Sequence, residues 1–381
     1  MRHFLLLLAA MVAAGESPAP IGFRIDGSGR FPTATPPTEW SATKNVAWKT
    51  EMPAPSNASP LLLGDLVVTC AEKGSVLGLA AADGKIRWTL TDETDKPLPK
   101  AHQSNGYTSA TPVSDGQFIY AVFGSGRVMA CDIAGKKRWA IDLELPPQKD
   151  WGSCMSPRLA GGLLIVHIDQ LWGIDPTTGA IKWRQKSPWT WGTPVVAKVA
   201  GTDVVWTGGG FCFRASDGQA LASGPPKLAY NSPCLVDDVL YYVQGIPMAF
   251  TLGATPDVKP QQLWQGKIAD DRYYATPLIH EGLVYAVNQK GMLSVLDAKN
   301  GTTVYEQKLD GLKGTMYPSP TLGGTNIFLG SEGGQTLVLK PGRTFVEVAR
   351  NALEPYRCSP VFDGKRIYIR SQKNMWCLSA P

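Results

Sequence analysis

The sequence predicts an all-β fold: an eight-bladed β-propeller of four-stranded antiparallel blades, closed by an N-terminal strand that completes the last blade. A hydroxyl residue followed by proline recurs eight times, and the sequence between these dipeptides shows the alternation of apolar and polar residues that is typical of short strands. Successive prolines lie 52, 45, 37, 39, 44, 43 and 40 residues apart, and blades of this kind contain about 40–50 residues. The eight dipeptides are Ser59-Pro60, Thr111-Pro112, Ser156-Pro157, Thr193-Pro194, Ser232-Pro233, Thr276-Pro277, Ser319-Pro320 and Ser359-Pro360.

Within each repeat the residues justify four strands in order. Proline cannot donate to a ladder and therefore suits the innermost edge strand. A turn such as Asp115-Gly116 then opens an apolar run such as 118–122, which predicts the second strand. A third strand and a glycine turn lead to a fourth strand that ends in an aromatic residue, which we expect to cover the face between neighbouring blades. Examples are Trp88, Trp139, Trp183 and Tyr305, whereas blade five reaches Trp264 without the glycine turn and blade four lacks the terminal aromatic residue.

The last repeat stops after three strands, at 376–378, and the pattern of its missing strand stands at 45–49 instead. We therefore predict that the N-terminus supplies the outer strand of blade eight, which leaves no free edge between the first and last blades. The stretch 345–353 is predicted to form the outer strand of blade seven. The domain organisation is then 1–15 as a signal peptide, 16–44 as an extended segment and 45–381 as one propeller domain.

The signal-peptide prediction rests on the first fifteen residues. Arg2 and His3 precede an apolar run at 4–14 that ends in small residues. This run is shorter than the about 20 residues that a transmembrane helix needs, and no later segment is as apolar over 18 residues. We expect a soluble periplasmic or secreted protein without a transmembrane segment; the alternative is an uncleaved anchor.

Composition excludes other classes. The 381 residues are 44% hydrophobic, too apolar for a disordered chain. The net charge of +5 is scattered, with a longest basic run at 136–138, so no nucleic-acid partner is expected. The seven cysteines form no CxxC pair and lie mostly in apolar strands, which favours buried thiols over a disulfide framework. If any pair forms, Cys358 with Cys377 is the first to test.

A candidate binding surface follows from the position two residues before each hydroxyl. Because side chains alternate along a strand, this offset places all eight on equivalent sides of the innermost strands. They are Asn57, Ser109, Cys154, Trp191, Tyr230, Tyr274, Tyr317 and Arg357. Nearby residues add Tyr107, Trp151, Trp189, Tyr273 and Tyr356. We expect the aromatic members and Arg357 to form a binding mouth for a protein segment or glycan; the alternative is that they pack between blades.

Catalytic signals are few. The four histidines lie apart, with no metal-ligand spacing. We interpret His167 as a hydrogen-bonded strand residue and His280 as solvated. His102 and Asn105 lie in the longest inter-blade insertion, 96–109, and are candidates for a functional loop; the alternative is an exposed polar loop. We predict no catalytic residues, no metal site and no cofactor, and expect a monomer that is not an enzyme.

The recurring pattern resembles the pyrroloquinoline-quinone-like (PQQ-like) propeller repeat, and is closest to the BamB-like family of outer-membrane assembly factors. The most diagnostic stretches are 111–116, 174–183 and 296–301, and the likeness covers 40–381. The resemblance implies an envelope binding or scaffold propeller, with an outer-membrane assembly factor or a PQQ- or metal-dependent oxidoreductase as alternatives. The chain departs from the lipoprotein BamB in having no cysteine near the predicted cleavage site. It also lacks the adjacent cysteines of quinone dehydrogenases, which argues against bound PQQ.

Overall fold

The computed structural model describes residues 21–91, 98–145 and 152–380, and the regular elements of these ranges are β-strands that form eight sheets. In chain order the strands are β1 Arg30–Phe31, β2 Val46–Glu51, β3 Leu61–Leu63, β4 Leu66–Ala71, β5 Ser75–Ala80, β6 Ile86–Thr91, β7 Val113–Ser114, β8 Phe118–Val122, β9 Arg127–Asp132, β10 Lys137–Asp142, β11 Arg158–Ala160, β12 Leu163–Ile168, β13 Gln170–Ile174, β14 Ile181–Lys186, β15 Val195–Val199, β16 Thr202–Trp206, β17 Phe211–Arg214, β18 Ala220–Ser223, β19 Cys234–Val236, β20 Val239–Tyr242, β21 Met248–Thr251, β22 Gln261–Gln265, β23 Leu278–His280, β24 Leu283–Val287, β25 Met292–Asp297, β26 Thr303–Lys308, β27 Thr321–Gly323, β28 Asn326–Gly330, β29 Gln335–Leu339, β30 Glu347–Ala352, β31 Val361–Asp363, β32 Arg366–Arg370 and β33 Asn374–Ser379.

The sheets are eight blades arranged in a ring, as the sequence predicted. Blades one to seven each take four consecutive antiparallel strands, beginning with β3–β6 and ending with β27–β30. Blade eight has the order β2-β33-β32-β31, so the N-terminal strand is its outermost member. In that pairing Trp48 lies opposite Cys377. The predicted ring closure and the outer strand of blade seven are both confirmed.

The hydrophobic core lies between neighbouring blades, and an indole covers each of five seams. Trp88 of blade one donates its Nε1–H to the carbonyl of Ile133 at 3.0 Å. Its ring also presses on Gly135, where a Cβ would come within 2.4 Å of it. Gly135 has φ 80°, so its glycine is required by the turn as well as by the ring. The other seam tryptophans and their glycines are Trp48 on Gly84, Trp139 on Gly179, Trp183 on Gly218 and Trp264 on Gly301.

The recurring hydroxyls join the inner strands into a closed circle, which we call the hydroxyl ring. The backbone N–H of each member donates to the side-chain oxygen of its equivalent in the next blade, at 2.9–3.2 Å, and Ser359 donates to Ser59 to close the circle. The members are Ser59, Thr111, Ser156, Thr193, Ser232, Thr276, Ser319 and Ser359. The hydroxyl therefore serves the inter-blade contact, a role that the sequence analysis did not predict.

The N-terminal segment closes one end of the channel. Ile21 forms a two-way backbone bridge with Ser114 of blade two. Arg24 is buried and donates to the carbonyls of Thr276 and Pro277 in blade six, at 2.7 and 3.0 Å. Strand β1 then pairs in parallel with β27 of blade seven. The sequence predicted only an extended segment here, and the pairing of β1 with the inner strand of blade seven was not predicted.

All seven cysteines are free, including Cys358 and Cys377, and Cys154 alone is partly exposed, in agreement with the expectation of buried thiols. The described residues contain no helix with the length and apolar character needed to cross a bilayer.

His167 lies in the fully buried strand β12, as expected for a core strand residue. The predicted hydrogen bonds are wrong: neither ring nitrogen has a partner among the described residues. Neighbouring blades cover both faces of β12, with Val166 packed against blade two and Ile165 against blade four. Burial lowers the pKa of His167 from 6.5 to about 4.

Acid should destabilise the protein through His167. Below about pH 6.5 the unfolded chain protonates this imidazole, whereas the folded chain keeps it neutral down to about pH 4. The free energy of unfolding should therefore fall by about 3 kcal/mol between pH 6.5 and pH 4. Urea titrations at several pH values would measure it. A His167→Leu variant should lose much of this slope, and the control His280→Gln, at a less buried imidazole whose pKa burial also lowers, should retain most of it. Equal slopes in all three proteins would contradict the prediction.

Candidate functional site

The inner strands enclose a cavity of about 590 Å³. All eight residues that stand two before the ring hydroxyls line it, and so do all eight members of the hydroxyl ring. This two-tier wall follows from the alternation of side chains along each inner strand. Phe23 of the N-terminal segment also lines the cavity. The segment contacts the inner strands on the far side of the hydroxyl ring, so Phe23 forms the floor and the cavity opens at the opposite end.

The structure brings most of the predicted site residues together. The cavity is lined by His102, Asn105, Trp189, Trp191, Tyr230, Tyr274, Tyr317 and Arg357. Tyr107 is not among them; its hydroxyl donates to the carbonyl of Pro99 at 2.6 Å. Trp151 lies outside the described residues.

Placing Tyr273 and Tyr356 at the mouth was wrong. Both are fully buried. The Tyr273 hydroxyl donates to the carbonyl of Ala269 at 2.6 Å, and that of Tyr356 is 2.5 Å from Thr336 Oγ1. Each precedes a cavity residue by one position, Tyr274 and Arg357, so the alternation that aims its neighbour at the channel turns it between the blades. For these two tyrosines the alternative of inter-blade packing holds.

Five aromatic residues line the cavity along blades four to seven, and we call them together the aromatic arc: Trp189, Trp191, Tyr230, Tyr274 and Tyr317. The two indoles meet edge to face with ring centroids 4.5 Å apart. Tyr230 and Tyr274 are 5.0 Å apart, and Tyr274 and Tyr317 are 5.1 Å apart. These are the distances of mutually supporting aromatic pairs, so the rings present a preformed surface to the cavity.

The opposite wall is polar. Asn57 Nδ2 donates to the carbonyls of Ser104 and Asn105, at 3.0 and 3.1 Å, and to Ser109 Oγ at 3.0 Å. Arg357 also donates to the carbonyl of Ser104. These bonds hold the described part of the predicted functional loop against the cavity, which explains why His102 and Asn105 line it.

Positive charge borders the cavity. Lys227, Arg272 and Arg357 line it, and none of the described lining residues is a carboxylate. Arg357 is paired with Glu332. Arg272 lies over the Tyr230 ring at 5.8 Å, and its Nη1 donates to the Tyr274 hydroxyl at 3.4 Å. Sequence reasoning missed Arg272, although it stands four residues before a ring hydroxyl and so obeys the same alternation as Tyr274; Lys227 carried no sequence signal.

The site does not fit a calcium-held quinone cofactor. Calcium prefers six to eight oxygen ligands, carboxylates among them, and the described lining offers amides, hydroxyls and cations instead. Within the described ranges no three His, Cys, Asp or Glu side chains come together as a metal site would require. The arrangement is suited to binding by stacking and hydrogen bonding.

Fold and site together define a closed eight-bladed β-propeller of PQQ-like repeats with a ligand-sized channel cavity. The model of the family described as outer membrane protein assembly factor BamB matches residues 38–153, 110–185 and 260–380, and the chain belongs to this family. It is 22% identical over 324 residues to the outer membrane protein assembly factor BamB of Moranella endobia (strain PCIT), covering 84% of this chain and 71% of that protein. The resemblance seen in the repeat is thereby confirmed.

Solved structures share the fold. BamB from Moraxella catarrhalis superposes with a TM-score of 0.64 at 17% identity, covering 87% of this chain and 96% of that one. A quinohemoprotein alcohol dehydrogenase from Comamonas testosteroni gives a TM-score of 0.67 at 11% identity, covering 97% and 81%. At these identities the likeness establishes architecture only.

Proposed function

We propose that this protein is a non-catalytic periplasmic scaffold in outer-membrane protein assembly, and that it holds a segment of a partner protein in its channel mouth. The observation that carries the proposal is the aromatic arc, five rings lining one cavity of about 590 Å³. Membership of the BamB family and the name of the Moranella relative support the assembly role. The periplasmic location rests on that kinship and on the predicted signal peptide, which lies outside the described residues.

The geometry supports capture of a chain end or a loop. Ligand cavities have volumes of about 300–1,000 Å³, and this one is floored by Phe23. A segment therefore enters and leaves by the same mouth. Tyrosine and tryptophan supply large contact areas at low cost in conformational entropy, and their polar tips hydrogen-bond a backbone. Because the rings already support one another, little order has to be created on binding.

Removing the arc should abolish capture without unfolding the propeller. In a Trp191→Ala/Tyr230→Ala/Tyr274→Ala variant we expect at least about tenfold less partner recovered from envelope extract, since three hot-spot aromatics are lost. The melting temperature should change by only a few degrees, because these rings face the cavity. Pull-down with identification of the captured proteins, alongside a melting curve, measures both effects.

The matched control is Phe211→Ala/Ile246→Ala/Leu263→Ala, which removes exposed apolar side chains at surface positions that do not line the cavity. It should capture partner as the unchanged protein does. Capture that survives loss of the arc, or that glycan fragments but not proteins compete for, would count against the proposal. A collapse of the melting temperature in the arc variant would show that the rings are core filler.

A further inference from the structure

We propose that the channel cavity recognises a carboxylate of the bound segment, through the hydroxyl ring at its base and Lys227 and Arg272 at its rim. The inference rests on the proposed function and specifies the chemistry of the segment: an acidic side chain or a terminal carboxylate at a chain end or loop tip.

The hydroxyl ring provides unused donors. Every ring oxygen accepts a backbone N–H from the preceding blade. A hydroxyl also carries one hydrogen to donate, and no ring hydroxyl donates to an acceptor within residues 21–91, 98–145 and 152–380. The eight residues are 2–5% exposed and all line the cavity. Buried donors without acceptors are costly, so ligand oxygens at this depth gain several hydrogen bonds at once.

The rim adds charge of the right sign. Lys227 and Arg272 are exposed, and neither is ion-paired with a described residue. The acid beside Arg272 is engaged elsewhere: Asp271 accepts from Gln289 Nε2 at 2.6 Å and pairs with Lys290 Nζ at 3.1 Å. Cations therefore face the cavity while this neighbouring carboxylate is satisfied outside it. Such complementarity steers and selects an anionic partner.

The two features together fix how the segment enters. Phe23 blocks passage through the channel, so the carboxylate is presented end-on toward the hydroxyl ring while the rest of the segment stacks on the aromatic arc. The hydroxyl ring donates hydrogen bonds to the carboxylate, and the rim cations attract its charge across the cavity, so a carboxylate is favoured over its neutral amide. The exposed rim makes part of this attraction sensitive to salt.

Calorimetric titration of the full-length protein with three short peptides tests the inference. The probes are acetyl-Gly-Tyr-Gly-Glu-Glu-amide, its Gln-Gln-amide twin, and the Gln-Gln peptide with a free terminal carboxylate. We expect at least one carboxylate-bearing probe to bind about tenfold or more tighter than the neutral twin, with the preference shrinking in high salt. Which of the two binds tighter distinguishes a side chain from a chain end.

Variants locate the effect. Arg272→Gln and Lys227→Gln should each lower the affinity for the carboxylate-bearing probes severalfold more than the affinity for the neutral twin. The charge-matched control is Arg343→Gln. The Arg343 guanidinium does not line the cavity and pairs with Asp297 at 2.9 Å, so this variant should keep the preference for a carboxylate. Ser232→Ala should weaken binding of the acidic probe, and its melting curve shows whether the variant is still folded.

Two outcomes overturn the inference: equal affinity for charged and neutral peptides, or a preference that the control reduces as much as Arg272→Gln does. Absence of binding by all three probes also overturns it, while arc-dependent capture of a partner protein would leave the proposed function standing. Conversely, a preference for the carboxylate-bearing peptides without arc-dependent capture of a partner protein would contradict the proposed function and leave the carboxylate site standing.

Discussion

A chain that begins at Ala54 should fail to form a cooperatively folded propeller. It lacks β2, and with it the outer strand of blade eight and the seam between blades eight and one. Trp48 in that strand is 8% exposed, lies against Gly84 and donates to the carbonyl of Ala81 at 2.9 Å. Losing one such indole costs about 3–5 kcal/mol, and whole domains are stable by only about 5–15 kcal/mol. Losing the strand as well exposes the edge of β33.

A chain that begins at Ser41 is the control, since it lacks the same channel-closing segment but keeps β2. It should still melt in one transition, whereas the shorter chain should not. Adding a synthetic peptide of residues 41–53 to the shorter chain should restore a transition that rises with peptide concentration. Thermal melts followed by near-ultraviolet circular dichroism measure this. If the two chains melt alike, ring closure by β2 does not hold the propeller together.

The features that could be predicted from the sequence are those set by strand periodicity. Eight hydroxyl–proline pairs marked eight inner strands, and an offset of two residues identified eight positions that line one cavity, because a strand turns its side chains with period two. The same rule shows why Tyr273 and Tyr356 should not have been added, and why Arg272 should have been.

Other features depend on contacts between distant parts of the chain. Arg24 donates hydrogen bonds to residues about 250 positions away, and β1 pairs with a strand near residue 322. Neither contact involves a repeated motif of the N-terminal segment, so neither could be predicted from the repeat. The hydroxyl ring joins neighbouring blades and exists only once the circle closes. His167 was recognisable as a core residue, but its lack of hydrogen bonds depends on which side chains the neighbouring blades present.

The seam tryptophans should behave differently from the aromatic arc, although both are aromatic residues of the blades. Trp139 lies between blades two and three, is 9% exposed and donates to the carbonyl of Pro176 at 2.8 Å. Trp139→Ala should lower the free energy of unfolding by about 3–5 kcal/mol, because the substitution leaves a cavity and removes the hydrogen-bond donor of the Pro176 carbonyl. Trp189→Ala, which alters the cavity wall, should cost less than about 1 kcal/mol and reduce partner capture instead. Urea unfolding and pull-down of the two variants measure this contrast; equal losses of stability would contradict it.

A double-mutant cycle sharpens the seam prediction. Gly179 has φ 77°, and a Cβ there would come within 2.8 Å of Trp139. Gly179→Ala alone should therefore be destabilising for two reasons, the left-handed backbone and the clash with the indole. In the Trp139→Ala background the indole is gone and only the backbone cost remains, so the second substitution should cost at least about 1 kcal/mol less there. Urea unfolding of the four proteins gives the coupling energy. Additive costs would mean that the indole does not rest on this glycine, and that the recurrence of glycine in the third hairpin reflects turn geometry alone.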